Sequence, residues 1–260
     1  MSSIDFSTAL MGSSRDGSDA AARPPAGGMA GGFGCRVPGA VARLNYRLGQ
    51  LIGRSVFSVT MNVRTLRPAA AEREGGYVLA CTHLSHLDPI CVGVLVNRKI
   101  DWMARLEFFR LRPVAAYLWS IDAFPVNRSG VTTRAIRSAI ARAAGGRVVG
   151  IFPEGGVVGG AASVCRGGPI KKGACVVAQR AGVPIIPCVI LGTHRLNRPL
   201  PWIPYRRARL WVAFGEPVHP RVGTDRRRAR QEMAEELRGR FAGLFREATE
   251  TFGIPDGEIP

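Results

Sequence analysis

The 260-residue sequence predicts an α/β domain with a mostly parallel central sheet flanked by helices, an amphipathic helix ahead of it and a further helix behind it. Three observations carry this expectation. Strand-like and helix-like pieces alternate through the middle of the chain. The run GVPIIPCVILGT (182–193) reads as a buried strand. Apolar residues recur at helical spacing near both ends, over 37–52 and 233–248.

Taken in order, residues 1–34 are rich in Ser, Gly, Ala and Pro and read as a disordered tail. Residues 35–60 form the amphipathic region. Val37, Val41, Leu44, Leu48, Leu51 and Ile52 share one side, with Arg36, Arg43, Arg47 and Arg54 at the same period beside them. Arginines flanking an apolar stripe suit a membrane interface, since long side chains reach head groups while the stripe enters the acyl boundary. An ordinary surface helix packed by its stripe on a core fits the same pattern.

Residues 61–222 form the main domain. Strands are expected at 77–82, 99–104, 122–126, 147–152, 185–191 and 209–214, and helices at 89–97, 106–119, 131–144 and 171–181. Over 223–250, Met233, Leu237, Phe241, Leu244, Phe245 and Ala248 make the inner side of a last helix opened by Thr224 or Asp225. No internal repeat is present.

The chain carries 36 Lys and Arg against 19 Asp and Glu, a formal +17, and only Lys99, Lys171 and Lys172 are lysines. This charge suits an anionic partner, or reflects the composition of the source genome. Nucleic acid is a weaker fit: aromatics are 7% of the chain, are not interleaved with the arginines, and no zinc-finger or basic-zipper spacing occurs. The six cysteines show no C-x-x-C pair and point to a reducing compartment. The opening residues show no secretory signal, and no uncharged apolar run reaches the roughly 18 residues of a spanning helix.

The chemistry concentrates in YVLACTHLSHLDPICVG (77–93). Residues five apart on a helix are rotated by about 140°, so His83 and Asp88 meet only if His83 ends a strand and Asp88 opens the next helix. Asp is a favoured N-cap and Pro89 suits the first helical position. Sites in open α/β sheets gather at the carboxyl ends of strands, where this loop falls. An imidazole held there by a carboxylate keeps one nitrogen free as a general base. Asp88 could equally serve only as a helix cap. A zinc site is a poorer reading, because His83 and His86 have no third ligand of suitable type nearby. Two more stretches end strands with polar groups, DAFPVNRSG with Arg128 and GIFPEGG with Glu154 and its glycine pair, and PIKKGA with Lys171 and Lys172 comes just before the 182–193 strand.

Over roughly residues 60–215 the chain resembles the glycerolipid acyltransferases typified by 1-acylglycerol-3-phosphate acyltransferase. Four blocks occur in the family's order: HLSHLD for H-x-x-x-x-D, FPVNR for the strand ending in arginine, FPEG, and VPIIPCV. The resemblance implies His83 as general base toward an acceptor hydroxyl attacking an acyl thioester, and Asp88 as its orienting partner. It implies Arg128 and Lys171 as holders of the acceptor phosphate, and Glu154 and Gly155 as shapers of the acceptor pocket. Further implications are acyl-CoA or acyl-carrier protein as donor, a lysophospholipid acceptor, most simply lysophosphatidic acid, and no metal or redox cofactor. With anionic lipids as partners, the chain would lie at the cytoplasmic face of a membrane, peripheral or monotopic. No G-x-S-x-G turn calls for an acyl-enzyme.

Two departures bear on the acceptor. The family follows FPEG with Thr or Ser and then Arg, whereas this chain has Gly156, Val157 and Val158. The stretch from Phe152 to Lys171 is some four residues longer than usual, which brings in Arg166 as a substitute cation. Glycerol 3-phosphate or a lyso-aminolipid thus stand as alternative acceptors. A basic nucleic-acid- or lipid-binding protein without catalysis is the alternative from another class.

Overall fold

The computed structural model describes residues 39–126, 133–197, 208–221, 225–255 and 259. The tail expected over 1–34, Arg36 and Arg128 lie outside them. Seven strands form one sheet: β1 (Met61–Leu66), β2 (Tyr77–Cys81), β3 (Ile100–Arg105), β4 (Phe124–Val126), β5 (Val148–Ile151), β6 (Ile185–Leu191) and β7 (Ala208–Phe214), in the order β1-β7-β6-β2-β5-β3-β4. Neighbouring strands run parallel except β6 with β7. The helices are α1 (Gly39–Thr60), α2 (Asp88–Leu95), α3 (Arg112–Ser120), α4 (Thr133–Ala144), α5 (Gly173–Ala181) and α6 (Arg226–Phe252).

The pleat of β2 shows how the layers assemble. Tyr77, Leu79 and Cys81 point to one side, where Phe57 of α1 and Cys91 and Val92 of α2 bury them. Val78 and Ala80 point to the other, against Ala139 and Ala143 of α4, Val177 of α5 and Leu237 and Phe241 of α6. Asp225 opens α6 by accepting hydrogen bonds from the Arg227 and Arg228 amides at 2.8 and 3.0 Å.

Three elements depart from the sequence expectation. β1 was not foreseen; it extends the sheet by pairing with β7 from Met61 to Leu66. The helix expected over 106–119 is broken. Leu106–Arg110 is a 3-10 turn, Leu111 is extended, and α3 starts at Arg112. Pro113 explains the break, for a proline fits the first turn of a helix but disrupts one that runs through it. β4 begins at Phe124, after Asp122 takes a left-handed conformation at φ 61°.

The orientation of α1 is set by polar contacts. Its inner side is Ala42, Tyr46, Gln50 and Phe57, small or polar for the most part. The Gln50 amide donates to the carbonyls of Gly93 (2.8 Å) and Val96 (2.6 Å), and the Tyr46 hydroxyl accepts from the Ile100 amide at 3.3 Å. These bonds satisfy groups at the end of α2 and the start of β3, where an apolar side chain would leave them unpaired. The apolar stripe therefore faces outward: Leu44, Leu48, Leu51, Ile52 and Val59 are all more than half exposed, Leu44 at 67%. Arg54 does not flank it freely. Its Nε donates to the Val94 carbonyl at 3.0 Å and its Nη2 to Asn97 Oδ1 at 2.5 Å, so it belongs to the α1–α2 seam. Among the described residues, no helix is long and apolar enough to cross a membrane.

Candidate active site

β2, β5, β3 and β4 run in one direction and deliver their carboxyl ends to one edge of the sheet. There β2 is pinned to β6 by Thr82, whose Oγ1 accepts from the Ile190 amide at 2.9 Å. The chain then wraps around a single carboxylate. Asp88 Oδ2 accepts from the amides of Leu84 (2.7 Å) and Ser85 (2.8 Å) and lies 3.0 Å from His83 Nδ1. The Asp88 amide returns a bond to the Ser85 carbonyl at 3.1 Å. Asp88 is thus inside the first turn of α2 and turned back onto the loop, rather than capping its own helix as the sequence suggests. The loop's two amides hold the carboxylate there.

Asp88 is fully buried and His83 is 8% exposed. The second carboxylate oxygen, Oδ1, has no hydrogen-bond partner among the described residues. An ionised carboxylate makes Nδ1 of His83 the protonated nitrogen and leaves Nε2 basic. Such a pair can withdraw a proton from a hydroxyl brought to Nε2.

Sequence reasoning did not foresee what packs on the imidazole. Phe152 stacks on His83 with ring centroids 4.1 Å apart, and Trp102 stacks on Phe152 at 5.1 Å. Trp102 lies flat because its neighbour across the sheet is Gly150; a Cβ there would come within 2.3 Å of the indole. A lone glycine inside a strand signals such a close approach, and Gly150 was the clue available. His86 is exposed and stands edge-on to His83, centroids 6.2 Å apart.

Glu154 reaches the pair from the other side. Its Oε2 accepts from the His83 amide at 2.8 Å, and its Oε1 from Ser163 Oγ (3.0 Å) and the Val164 amide (2.9 Å). Its carboxylate clamps three loops together. The Val158 amide bonds the His83 carbonyl at 2.9 Å, and the Lys171 amide bonds the Pro153 carbonyl at 2.8 Å. Gly155 has φ 76°, and a Cβ there would lie 2.3 Å from Lys171 Nζ, so the lysine crosses directly over it. His83, Asp88, Glu154, Gly155 and Lys171 therefore converge. Arg166 is exposed on a 3-10 turn (Val164–Arg166) that the Glu154 clamp holds. Arg128 falls two positions beyond the end of β4, outside the described residues.

The nearby thiols are unsuited to nucleophilic attack. Burial pushes Cys91 up to about 12, and Cys81, two residues before His83, well above its ordinary value. All five described cysteines are free and buried.

The 1-acyl-sn-glycerol-3-phosphate acyltransferase of Bacillus subtilis is 28% identical over 165 residues, covering 63% of this chain and 77% of that protein. The crystal structure of the 1-acyl-sn-glycerophosphate (LPA) acyltransferase PlsC from Thermotoga maritima superposes with a TM-score of 0.58 at 20% identity, over 78% of this chain and 80% of that one. It shares the fold, with the mostly parallel sheet flanked by helices. The family described as Acyltransferase matches residues 60–191, a span that holds His83, Asp88, Glu154, Gly155 and Lys171. With just over half the chain matched, and the converging residues inside the matched span, the protein belongs to the acyltransferase family.

Proposed function

We propose that the protein transfers a fatty acyl group from a CoA or acyl-carrier-protein thioester to the free hydroxyl of a lysophospholipid, with lysophosphatidic acid as the foremost acceptor and phosphatidic acid as product. The observation that carries the reading is the His83–Asp88 couple at 3.0 Å, buried at the carboxyl edge of the sheet. The named activities of the Bacillus and Thermotoga relatives support the acceptor class.

His83 Nε2 takes the hydroxyl proton as the acceptor oxygen attacks the thioester carbonyl. Asp88 stabilises the imidazolium that forms. The tetrahedral intermediate collapses, the C–S bond breaks, and the imidazolium returns its proton to the departing thiolate. Acceptor and donor meet directly, with no acyl-enzyme. Lys171, crossing Gly155, and Arg128 hold the acceptor phosphate, while Glu154 shapes the pocket by its hold on the His83 loop. Gly156 and Val157 stand where the family has Thr or Ser and then Arg after FPEG, so phosphate recognition rests on these remaining cations. The outward stripe of α1, with Arg43 and Arg47, supports a peripheral seat on the anionic cytoplasmic face of a membrane.

The test is mass spectrometry of products from a mixed pool of lysolipids and glycerol 3-phosphate, supplied with acyl-CoA and acyl-carrier protein. Phosphatidic acid is expected to dominate, and His83→Ala to lower kcat by about 10²–10⁴-fold, the range of general-base catalysis. Activity near wild type in His83→Ala removes the base assignment. A phosphate-free acceptor used as fast as lysophosphatidic acid removes the roles of Lys171 and Arg128.

A further inference from the structure

The segment from Leu106 to Trp119 buries little for its composition. None of the residues of its 3-10 turn or of α3 is buried. Leu106, Phe108, Leu111, Val114, Tyr117 and Trp119 are all exposed, Leu111 at 61%. Large apolar side chains gathered in this way on a surface mark an interaction site, whereas the same residues scattered singly would not.

Its position ties this surface to the reaction centre. The segment follows β3 directly, so it starts at the carboxyl edge that also carries His83. The rings stacked on His83 lie on the α1/α2 side of the sheet, since Trp102 and Phe152 pack with Cys91, Val92 and Phe57. α3 lies against α1 on that same side, and the Phe109 ring, 4.9 Å from Trp119, ties the 3-10 turn to α3. Ile90, exposed in the first turn of α2 two residues past Asp88, puts a further apolar side chain beside the catalytic loop.

We propose that Leu106–Trp119 is a second membrane-insertion element, continuous with the outward stripe of α1, which seats the His83 opening at the lipid boundary so that a single-chain phospholipid enters sideways from an anionic leaflet. This rests on the acyl-transfer reading for the identity of the acceptor, not for the binding itself. Charge selects the occupant. Arg105, which pairs with Glu107 of the same segment at 3.5 Å, Arg110 and Arg112 fringe the apolar residues, and Arg43 and Arg47 are exposed on α1, so arginines outnumber the one acid. A second copy of a +17 chain would set arginine against arginine, whereas anionic head groups match the fringe and the acyl region takes the apolar side chains.

The test uses the full chain and vesicles of equal parts phosphatidylglycerol and phosphatidylcholine. The double variant Leu111→Glu, Tyr117→Glu alters only exposed positions, and circular dichroism confirms its fold. Its partition onto the vesicles is expected to fall roughly tenfold or more, because two inserted apolar side chains become charges repelled by the leaflet. Turnover of a long-chain lysophosphatidate embedded in the vesicles falls with it, while turnover of a short-chain, monomeric lysophosphatidate is unchanged. Vesicle partition equal to wild type overturns the proposal. So does sedimentation showing a lipid-free wild-type dimer that the double variant converts to monomer, since a second copy would then cover this surface. If wild type acylates no lysophospholipid yet the variant still loses the vesicles, the insertion element stands and the proposed reaction falls.

Discussion

Two aspartates buried at opposite edges of the same sheet do different work. Asp101, near the start of β3, is surrounded by permanent cations. Its Oδ1 meets Arg147 at 2.7 Å and Lys99 at 3.4 Å, and its Oδ2 meets Arg142 at 2.9 Å. Asp88, at the carboxyl edge, has no guanidinium or ammonium in its ion-pair shell among the described residues; its partners there are two amides and an imidazole. Asp101 has its counter-charges in place whether or not a reaction is under way. Asp88 gains a full counter-charge only when His83 takes a proton. A carboxylate compensated by fixed cations holds a fold together, while one compensated by a titratable ring is poised to stabilise charge that appears during a reaction.

The sharpest way to break this comparison is to neutralise each aspartate in turn. In Asp88→Asn, the side-chain oxygen can keep the Leu84 and Ser85 amide bonds while the charge that stabilises the imidazolium is lost. We expect kcat for acyl transfer to fall by about 10³–10⁴-fold with little change in Tm. In Asp101→Asn, three cations lose their common anion. Because Lys99, Arg142 and Arg147 are partly solvated, the loss should sit near the low end for a broken buried pair, about 3 kcal/mol by denaturant unfolding, with kcat within a few-fold of wild type. If Asp101→Asn abolished turnover without unfolding, or Asp88→Asn only destabilised, the division of labour would be wrong.

How far the sequence reaches follows the same divide between local and distant signals. The loop joining His83 to Asp88 was legible, because a strand-like run, a histidine and Asp-Pro at a helix start are all local signals. β1 was not, since MNVRTL follows α1 with no turn signal between and becomes a strand only by pairing with β7, almost 150 positions away. The stripe on α1 was legible, but what turns it outward was not. That depended on Gln50 and Tyr46 meeting groups over 40 residues distant at the end of α2 and the start of β3. Glu154 was identified, but its clamp on Ser163 and Val164 needs the intervening loop to fold back. Trp102 had no signal of its own, because its place over Gly150 depends on the β3–β5 register.

That register offers a subtler way to sharpen the comparison, by disturbing the site without touching the pair. Gly150→Ala puts a methyl 2.3 Å from the Trp102 ring, which must shift and take Phe152 from its stack on His83. An aromatic face beside an imidazolium contributes about 0.5–2 kcal/mol, so kcat should fall about three- to thirtyfold while KM for the acceptor stays constant. Shrinking the indole by Trp102→Phe in the Gly150→Ala background should restore part of kcat. A rise in KM with kcat intact would instead assign the stack to substrate binding.

The smallest effect belongs to the amino edge and concerns acid. Asp122 shares Lys99 and Arg147 with Asp101, the Arg147 contact being 2.9 Å. Burial alone would raise its carboxyl, but Lys99, Arg147 and Arg142 outweigh burial and hold it below the ordinary 3.8. A folded-state value below the unfolded one means that the stabilisation is fully present above pH 3.8 and disappears as pH falls through the lower, folded value. Asp122→Asn is a mild replacement, since asparagine accepts the left-handed conformation at φ 61°. The Tm gap between wild type and Asp122→Asn should therefore be constant from neutral pH down to about pH 5 and close below pH 3.8. A gap that widened in acid would mean that burial dominates and that the amino edge is held by Asp101 alone.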